Sequence, residues 1–446
     1  MKKQQSLFNQ LKQCQTLKEI ATCIPNDLYD TVTMLILGFW CFMPIGAMVI
    51  THITAKDADL FMYLSCLTVG FLGIYITILR YLKVKTKRQL LRRETLPQIM
   101  LLAMLGWSLL ASFGARDGYR AFIGDSYSHE GFMTYVAYAG VYGSALFLVK
   151  SKHLKRLAHL FLGVGVLLAV LTILQYSGYY IQAFSANMPL ASVFHNTNHY
   201  GYYLVLTSLT AASCFIITST FSYQLIYGIS FILILMALIV NNTFGAYLGV
   251  LAGVIAIFII FSSYYRKCFI KHFVPLGLFL ATTLFVNQMT GLVEANFNGL
   301  ESDVEKIVTD AEDSGNAGSF RWALWVAALD FIEEEPLFGY GPENLDHNYK
   351  QVGIDMLKPH NEYIQHAVSL GVPALIFYLI TLGSIYLNAY LRRQQLTVES
   401  VMALCVVSGY LVSAFFGNTK FYVTPYFMIL LAIAAQSYMT RGEREC

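Results

Sequence analysis

About twelve apolar segments, each of spanning length at roughly 17–25 residues, leave this 446-residue chain few folds to choose from. Backbone in lipid must satisfy its own hydrogen bonds, so runs of this kind cross a bilayer as α-helices. They lie at residues 31–52, 58–82, 96–113, 131–149, 157–176, 199–218, 223–240, 245–262, 273–289, 363–391, 400–416 and 421–439. Only 13% of the residues are charged against 56% hydrophobic, where a soluble domain carries roughly 25% charged. The expected fold is an all-α integral membrane protein with about 12 transmembrane helices. The expected division is an N-terminal segment (1–30), nine spans (31–289), one long loop with short helices (290–362), three spans (363–439) and a tail (440–446).

The placement of positive charge sets the orientation. With Lys2, Lys3, Lys12 and Lys18 in the cytoplasm, every second connection should be cytoplasmic and basic. Lys83, Lys85, Lys87, Arg88, Arg92 and Arg93 fall in one such loop, and Lys150, Lys152, Lys155 and Arg156 in the next. Arg266, Lys267 and Lys271, then Arg392 and Arg393, then Arg441 and Arg444, complete the series. With Arg80 at the inner end of the second span, all but eight of the 30 Lys and Arg are accounted for; the eight are Lys56, Arg116, Arg120, Lys306, Arg321, Lys350, Lys358 and Lys420. Both termini are expected inside and the long loop outside. The net charge of +3 gives no basis for nucleic-acid binding.

Eight cysteines are present, none in the long loop, so no disulfide framework is expected there. The first thirty residues lack the apolar core of a cleavable signal. Leu7, Phe8, Leu11, Leu17, Ile20 and Ile24 instead recur at near-helical spacing. That spacing suits a short helix on the inner leaflet, in contact with membrane lipids; a frayed tail is the alternative.

Within the long loop, residues 301–312 are acidic and helix-compatible. A flexible Asp313-Ser-Gly-Asn-Ala-Gly-Ser319 linker follows, whose last serine can cap a new helix. From Phe320 to Glu335 the spacing of Trp322, Trp325, Val326, Leu329 and Ile332 predicts an amphipathic helix lying at the outer interface, ended by Pro336. Then come Pro336-Leu-Phe-Gly-Tyr-Gly-Pro-Glu-Asn344, His360-Asn361 and Gly371-Val-Pro-Ala374. Polar groups beside a membrane are costly to hold in place, which makes this stretch a site hypothesis.

The outward polar residues are Arg116, Arg120, Asp125, His129 and Glu130 in one loop and His195 through His199 in another. Arg321, Glu343, Asn344, His347, His360, Asn361 and Glu362 belong to the long loop. Guanidinium groups grip phosphate oxygens, and a neutral imidazole can take a proton from an attacking hydroxyl. Together they suit displacement of a lipid-linked diphosphate by a sugar hydroxyl. Each residue has a plainer alternative. Arg321, Arg116 and Arg120 can anchor at headgroups; His360 can cap or pack; His195 and His199 can shape a turn; His347 and Glu333-Glu334-Glu335 can simply be solvated. The lone Asp57-Ala-Asp59 and the His195/His199 pair lack further ligands, so neither a metal nor a cofactor is expected.

These residues resemble a known family. His360-Asn361, nine residues, then Gly371-Val-Pro-Ala374 looks like the H-N-x9-G-x-x-G signature of the bacterial O-antigen ligase and Wzy-type polysaccharide polymerase superfamily. Arg321-Trp-x-x-Trp leading into Pro336-Leu-Phe-Gly-Tyr-Gly-x-x-Asn344 is similar to that family's long loop. Phe194-His-Asn-Thr-Asn198 resembles its F-x-N-x-N element, and Glu130-Gly131 also fits. The resemblance implies a GT-C-like, metal-independent glycosyltransferase of the bacterial inner membrane, acting on its outer face. The donor would be an undecaprenyl-diphosphate-linked glycan and the acceptor a glycan or lipid.

Carried onto this chain, His360 would be the base or acceptor-orienting group and Arg321 a diphosphate contact. Arg116, Arg120, His195, Asn198, Glu343, Asn344 and Asn361 would bind substrate. Two departures stand out: Ala374 replaces a glycine, and residues 185–193 lack the arginine that many members carry there, which leaves His195, Arg116 or Arg120 as the substitute candidates for second phosphate ligand. The signature fits both a polymerase and a ligase; the small loop, with no appended acceptor-binding domain, favours the polymerase. A transporter or flippase of the same lipid would need charges through the membrane, and few lie within the spans.

Overall fold

The computed structural model describes residues 2–54, 58–83, 95–126, 128–179, 188–264, 269–309 and 314–436. Lys56, Asp57, the basic stretch 84–94, Arg266, Lys267, Cys268, Asp313, Arg441, Arg444 and Cys446 lie outside the described residues. Helices α1 (Lys2–Gln13) and α2 (Leu17–Cys23) precede the long α3 (Asn26–Thr54) and α4 (Asp59–Lys83). Next come α5 (Leu96–Gly114), α6 (Gly118–Ile123), α7 (Phe132–Leu146), α8 (Ser151–Tyr176) and α9 (Thr197–Ile217). They are followed by α10 (Phe221–Asn241), α11 (Phe244–Tyr264) and α12 (Val274–Thr290). The long loop holds α13 (Leu292–Val308), α14 (Arg321–Glu334) and α15 (Asp346–Gln351). Helices α16 (Glu362–Leu370), α17 (Val372–Leu391), α18 (Val398–Ser413) and α19 (Thr424–Ala435) complete the order.

The protein is all-helical among the described residues, and every apolar segment of the sequence becomes helix. Ten of these helices are long and apolar enough to cross a membrane. The other two segments give the shorter α7, of 15 residues, and α19, of 12. Helix α19 runs through the interior rather than along lipid: all its residues but Met428 are buried. Its Tyr426 stacks on Phe161 of α8 at 5.2 Å and meets Tyr203 of α9 edge-on at 5.2 Å. The Tyr426 hydroxyl donates to the Trp40 carbonyl of α3 at 3.0 Å, so four helices share one aromatic centre and its polar tip is satisfied.

Lipid gives helices no hydrophobic reason to associate, so close backbone packing must hold them together. Gly70 and Gly73 of α4 lie against the backbone of Ala137 and Gly140 of α7, and a Cβ at either would overlap it. Gly249 and Gly253 of α11 meet Gly409 of α18 and Leu209 of α9 in the same way.

The basic end of the bundle is closed by ions. Arg80 pairs with Asp30, Lys150 pairs with Asp27, and Lys150 also reaches Asp30 at 2.9 Å. Arg80 additionally donates to the Phe147 carbonyl at 2.9 Å and lies over the Tyr29 ring.

Three expectations need correction. The span at 363–391 is two helices, broken at Gly371, whose φ is 88°. Residues 336–341 cross this break and satisfy it: Val372 donates to the Pro336 carbonyl at 2.8 Å, Tyr340 to Val368 at 3.0 Å and Gly341 to Ser369 at 2.9 Å. Irregular backbone at this depth is tolerated because protein covers it. In the long loop, the acidic helix starts earlier than 301, at Leu292. The buried face of α14 is Leu324, Ala328 and Phe331, packed on Leu345, Tyr349 and Val368, while Val326 and Leu329 of the expected stripe face outward.

Candidate functional site

Arg321 opens α14 after a turn in which Gly318, Ser319 and Phe320 all have positive φ, near 60–70°. Ser319 therefore does not cap the helix; Phe320 holds the cap position and no side chain bonds there. A left-handed phenylalanine is sterically costly, and the turn aims the Arg321 guanidinium inward. Its Nη1 donates to the Gly318 carbonyl at 3.3 Å, and among the described residues Arg321 makes no ion pair.

One helical turn on, Trp325 Nε1 donates to the Pro359 carbonyl at 2.9 Å, fixing the residue before His360. His360 itself has φ 53°, and its Nδ1 lies 3.3 Å from Asn418 Nδ2. Burial, then the charges of Arg321 and Lys358, push its pKa down to about 4. The imidazole is neutral around pH 7.

Asn418 belongs to the short connection 417–423 between α18 and α19, where Lys420 is also buried. Glu130, buried ahead of α7, pins this connection: its Oε1 accepts from the Phe421 amide at 2.6 Å and from the Tyr138 hydroxyl at 2.7 Å. Burial first, then the nearby Lys358 charge, bring Lys420 down to about 8, against the opposing pull of Glu343, Glu130 and Asp59. Burial pushes Glu130 up to about 7. Lys358 pairs with Glu343 at 2.7 Å, with both side chains almost wholly buried. From α9, His199 stacks on Tyr422 at 5.8 Å. The structure thus brings together His360, Arg321, Asn418, Lys358, Lys420 and His199, three of them cations near a neutral imidazole.

The sequence reading did not single out Lys358, Asn418 or Lys420. A signal for the lysines was present: both are among the eight basic residues that the charge alternation leaves opposite the basic loops, and Lys420 interrupts an otherwise uncharged stretch between two apolar segments.

Several expected substrate contacts have intramolecular partners. Arg120 pairs with Asp125 at 3.2 Å and Asp346 at 2.9 Å, tying α6 to α15. The Asn344 amide accepts from the Asp117 N–H at 2.8 Å and donates to the Pro342 carbonyl at 2.7 Å, joining the same two loops. Asn361 caps α16 by accepting from the Tyr363 and Ile364 amides. His195 Nδ1 lies 2.9 Å from Asp59 Oδ2 rather than sharing a ligand with His199. Asn198 is half-buried in the first turn of α9, beside the Asn196 cap. Arg116 is exposed. Among the described residues, no group of three or more His, Cys, Asp or Glu is spaced to hold a metal ion.

Ten spanning helices with this polar cluster at one end define a multi-pass membrane protein. The model of the family described as O-Antigen ligase matches residues 229–379, which supports the superfamily resemblance carried by the motifs. The match includes Arg321, Lys358 and His360 and stops before Asn418 and Lys420. An uncharacterized protein of Haemophilus influenzae is similar at 24% identity over 190 residues, 40% of this chain; the chain spans 47% of that relative's length.

Proposed function

We propose that this protein is a membrane glycosyltransferase that moves a glycan from a lipid diphosphate, of the undecaprenyl type, to an acceptor hydroxyl, polymerising repeat units of a surface polysaccharide. The reaction takes place on the outer face of the inner membrane. The observation that carries this reading is the neutral His360 imidazole set beside Asn418 and within the field of an Arg321 guanidinium that makes no ion pair among the described residues.

With the proton on Nδ1 and the Asn418 amide turned so that Oδ1 in place of Nδ2 meets it, Nε2 takes the proton of the acceptor hydroxyl. The hydroxyl oxygen then bonds to the anomeric carbon. The bond from that carbon to the diphosphate oxygen breaks, and its electron pair leaves on the diphosphate. The developing charge is met by Arg321. A bound diphosphate offsets the Arg321 and Lys358 charges that depress His360, which raises its basicity at the moment a proton must move.

The test is a size profile of lipid-linked and surface glycans in cells lacking the protein, complemented with wild type or His360→Ala. Single repeat units left on the lipid mean a polymerase, and long chains stranded on the lipid mean a ligase. An unchanged profile, or full rescue by His360→Ala, overturns the reading.

A further inference from the structure

We propose that Lys420 is the second ligand of the donor diphosphate, taking the task for which the stretch ahead of Phe194 supplies no arginine, and that Glu130 is its positioning residue. This rests on the glycosyl-transfer reading above and adds to it a residue outside the stretch that matches the family model.

Place is the first argument. Asn418, two residues before Lys420, touches His360, so the segment that carries Lys420 borders the imidazole across one site. The Lys420 side chain lies along aromatic rings, with Nζ 5.6 Å from the Phe421 centroid and 6.0 Å from that of Tyr422. The other face of that environment is His199, stacked on Tyr422.

Preorganisation is the second. The main chain on both sides of Lys420 is tied: its own amide donates to Thr424 Oγ1 at 3.0 Å, and the Phe421 amide donates to Glu130 Oε1 at 2.6 Å. The backbone is fixed, a suitable mounting for a point charge that meets phosphate.

The lining is the third. His199 Nδ1 is buried without a hydrogen-bond partner among the described residues. Buried polar atoms are ordinarily bonded, and exceptions call for an explanation. A hydrated or hydroxylated anionic headgroup seated among Lys420, Arg321 and His360 provides one.

The experiment uses the full chain in lipid nanodiscs and measures binding of undecaprenyl diphosphate and of undecaprenyl phosphate. Lys420→Met should weaken the diphosphate about tenfold or more and the monophosphate little, while Lys420→Arg should restore most of the loss. Glu130→Gln, which keeps the shape and the acceptor oxygen, should fall between them. In wild type, the diphosphate should protect the amides of residues 417–423 from hydrogen exchange more than the monophosphate does, a measurement that needs no variant to fold. Equal diphosphate binding by wild type and a folded Lys420→Met, or no protection of 417–423, overturns the assignment. The two readings fail separately: normal diphosphate binding by Lys420→Met alongside lost transfer by His360→Ala removes only Lys420, whereas wild type that ignores lipid diphosphate removes the donor.

Discussion

The two ends of the helix bundle both bury ions, and they do so differently. At the basic end, Arg80, Asp30, Lys150 and Asp27 form a chain of alternating opposite charges, with a carbonyl and an aromatic face also meeting Arg80. At the long-loop end, Arg321 makes no ion pair among the described residues, a neutral His360 faces it, and several polar atoms have no bond. The backbone follows the same division: Ser319, Phe320, Glu343, His360, His129 and His195 all have positive φ, and all lie at this end. Strain and underpaired charge persist only where the surroundings enforce them, and they mark a place built to receive something. Ions that pair with one another mark a joint.

That contrast can be broken by substitution. The largest effect should come from His360→Ala, a loss of about 10²–10⁴-fold in transfer with little change in melting temperature; a variant that melts early with normal specific activity would reverse the roles of the two ends. Arg80→Met leaves the buried Asp30 carboxylate with Lys150 alone and should cost roughly 1–3 kcal/mol of stability, seen as early melting in detergent with activity per folded molecule retained.

Gly140→Val forces α7 off α4 and should cost ~1–3 kcal/mol, again without a change in substrate affinity. Smaller still is the contrast between neighbours: Arg120→Met cuts the tie between α6 and α15 and should lower the melting temperature by a degree or two, while Arg116→Met leaves it unchanged.

The subtlest effect is on pH. Glu130, lifted from 4.5 to about 7, holds a proton in the folded chain that the unfolded chain has released. Its contribution is full below pH 4.5 and is lost as pH rises through about 7. His360, lowered from 6.5 to about 4, acts oppositely, but only below pH 6.5. Above 6.5, wild type should therefore lose melting temperature with rising pH more steeply than Glu130→Gln; parallel slopes would contradict this.

Length and apolarity made the helices legible, because a bilayer punishes any other arrangement. The break at Gly371 was hidden: Gly-Val-Pro sits inside an uninterrupted apolar run, and hydropathy averages across it. The face of α14 was misread because both of its faces are apolar, Leu324, Ala328 and Phe331 inward and Val326 and Leu329 outward. His360 and Arg321 stood out through a motif, yet the glycines and asparagines of that motif proved to be joinery. Gly371 and Gly341 have positive φ and backbone packed where a side chain would sit, and Asn344 and Asn361 bind the chain to itself. Lys420 was obscured by distance, since a single charge sixty residues from His360 carries no local pattern.

Helix α14 has one more consequence. It carries Arg321 in its first turn and, through Trp325 in its second, grips the carbonyl ahead of His360. The two residues are mounted on a common bracket. Movement of the long loop carries both together and preserves their mutual alignment, while their distance to Asn418 and Lys420, bolted to the opposite wall by Glu130, is the dimension left free to vary.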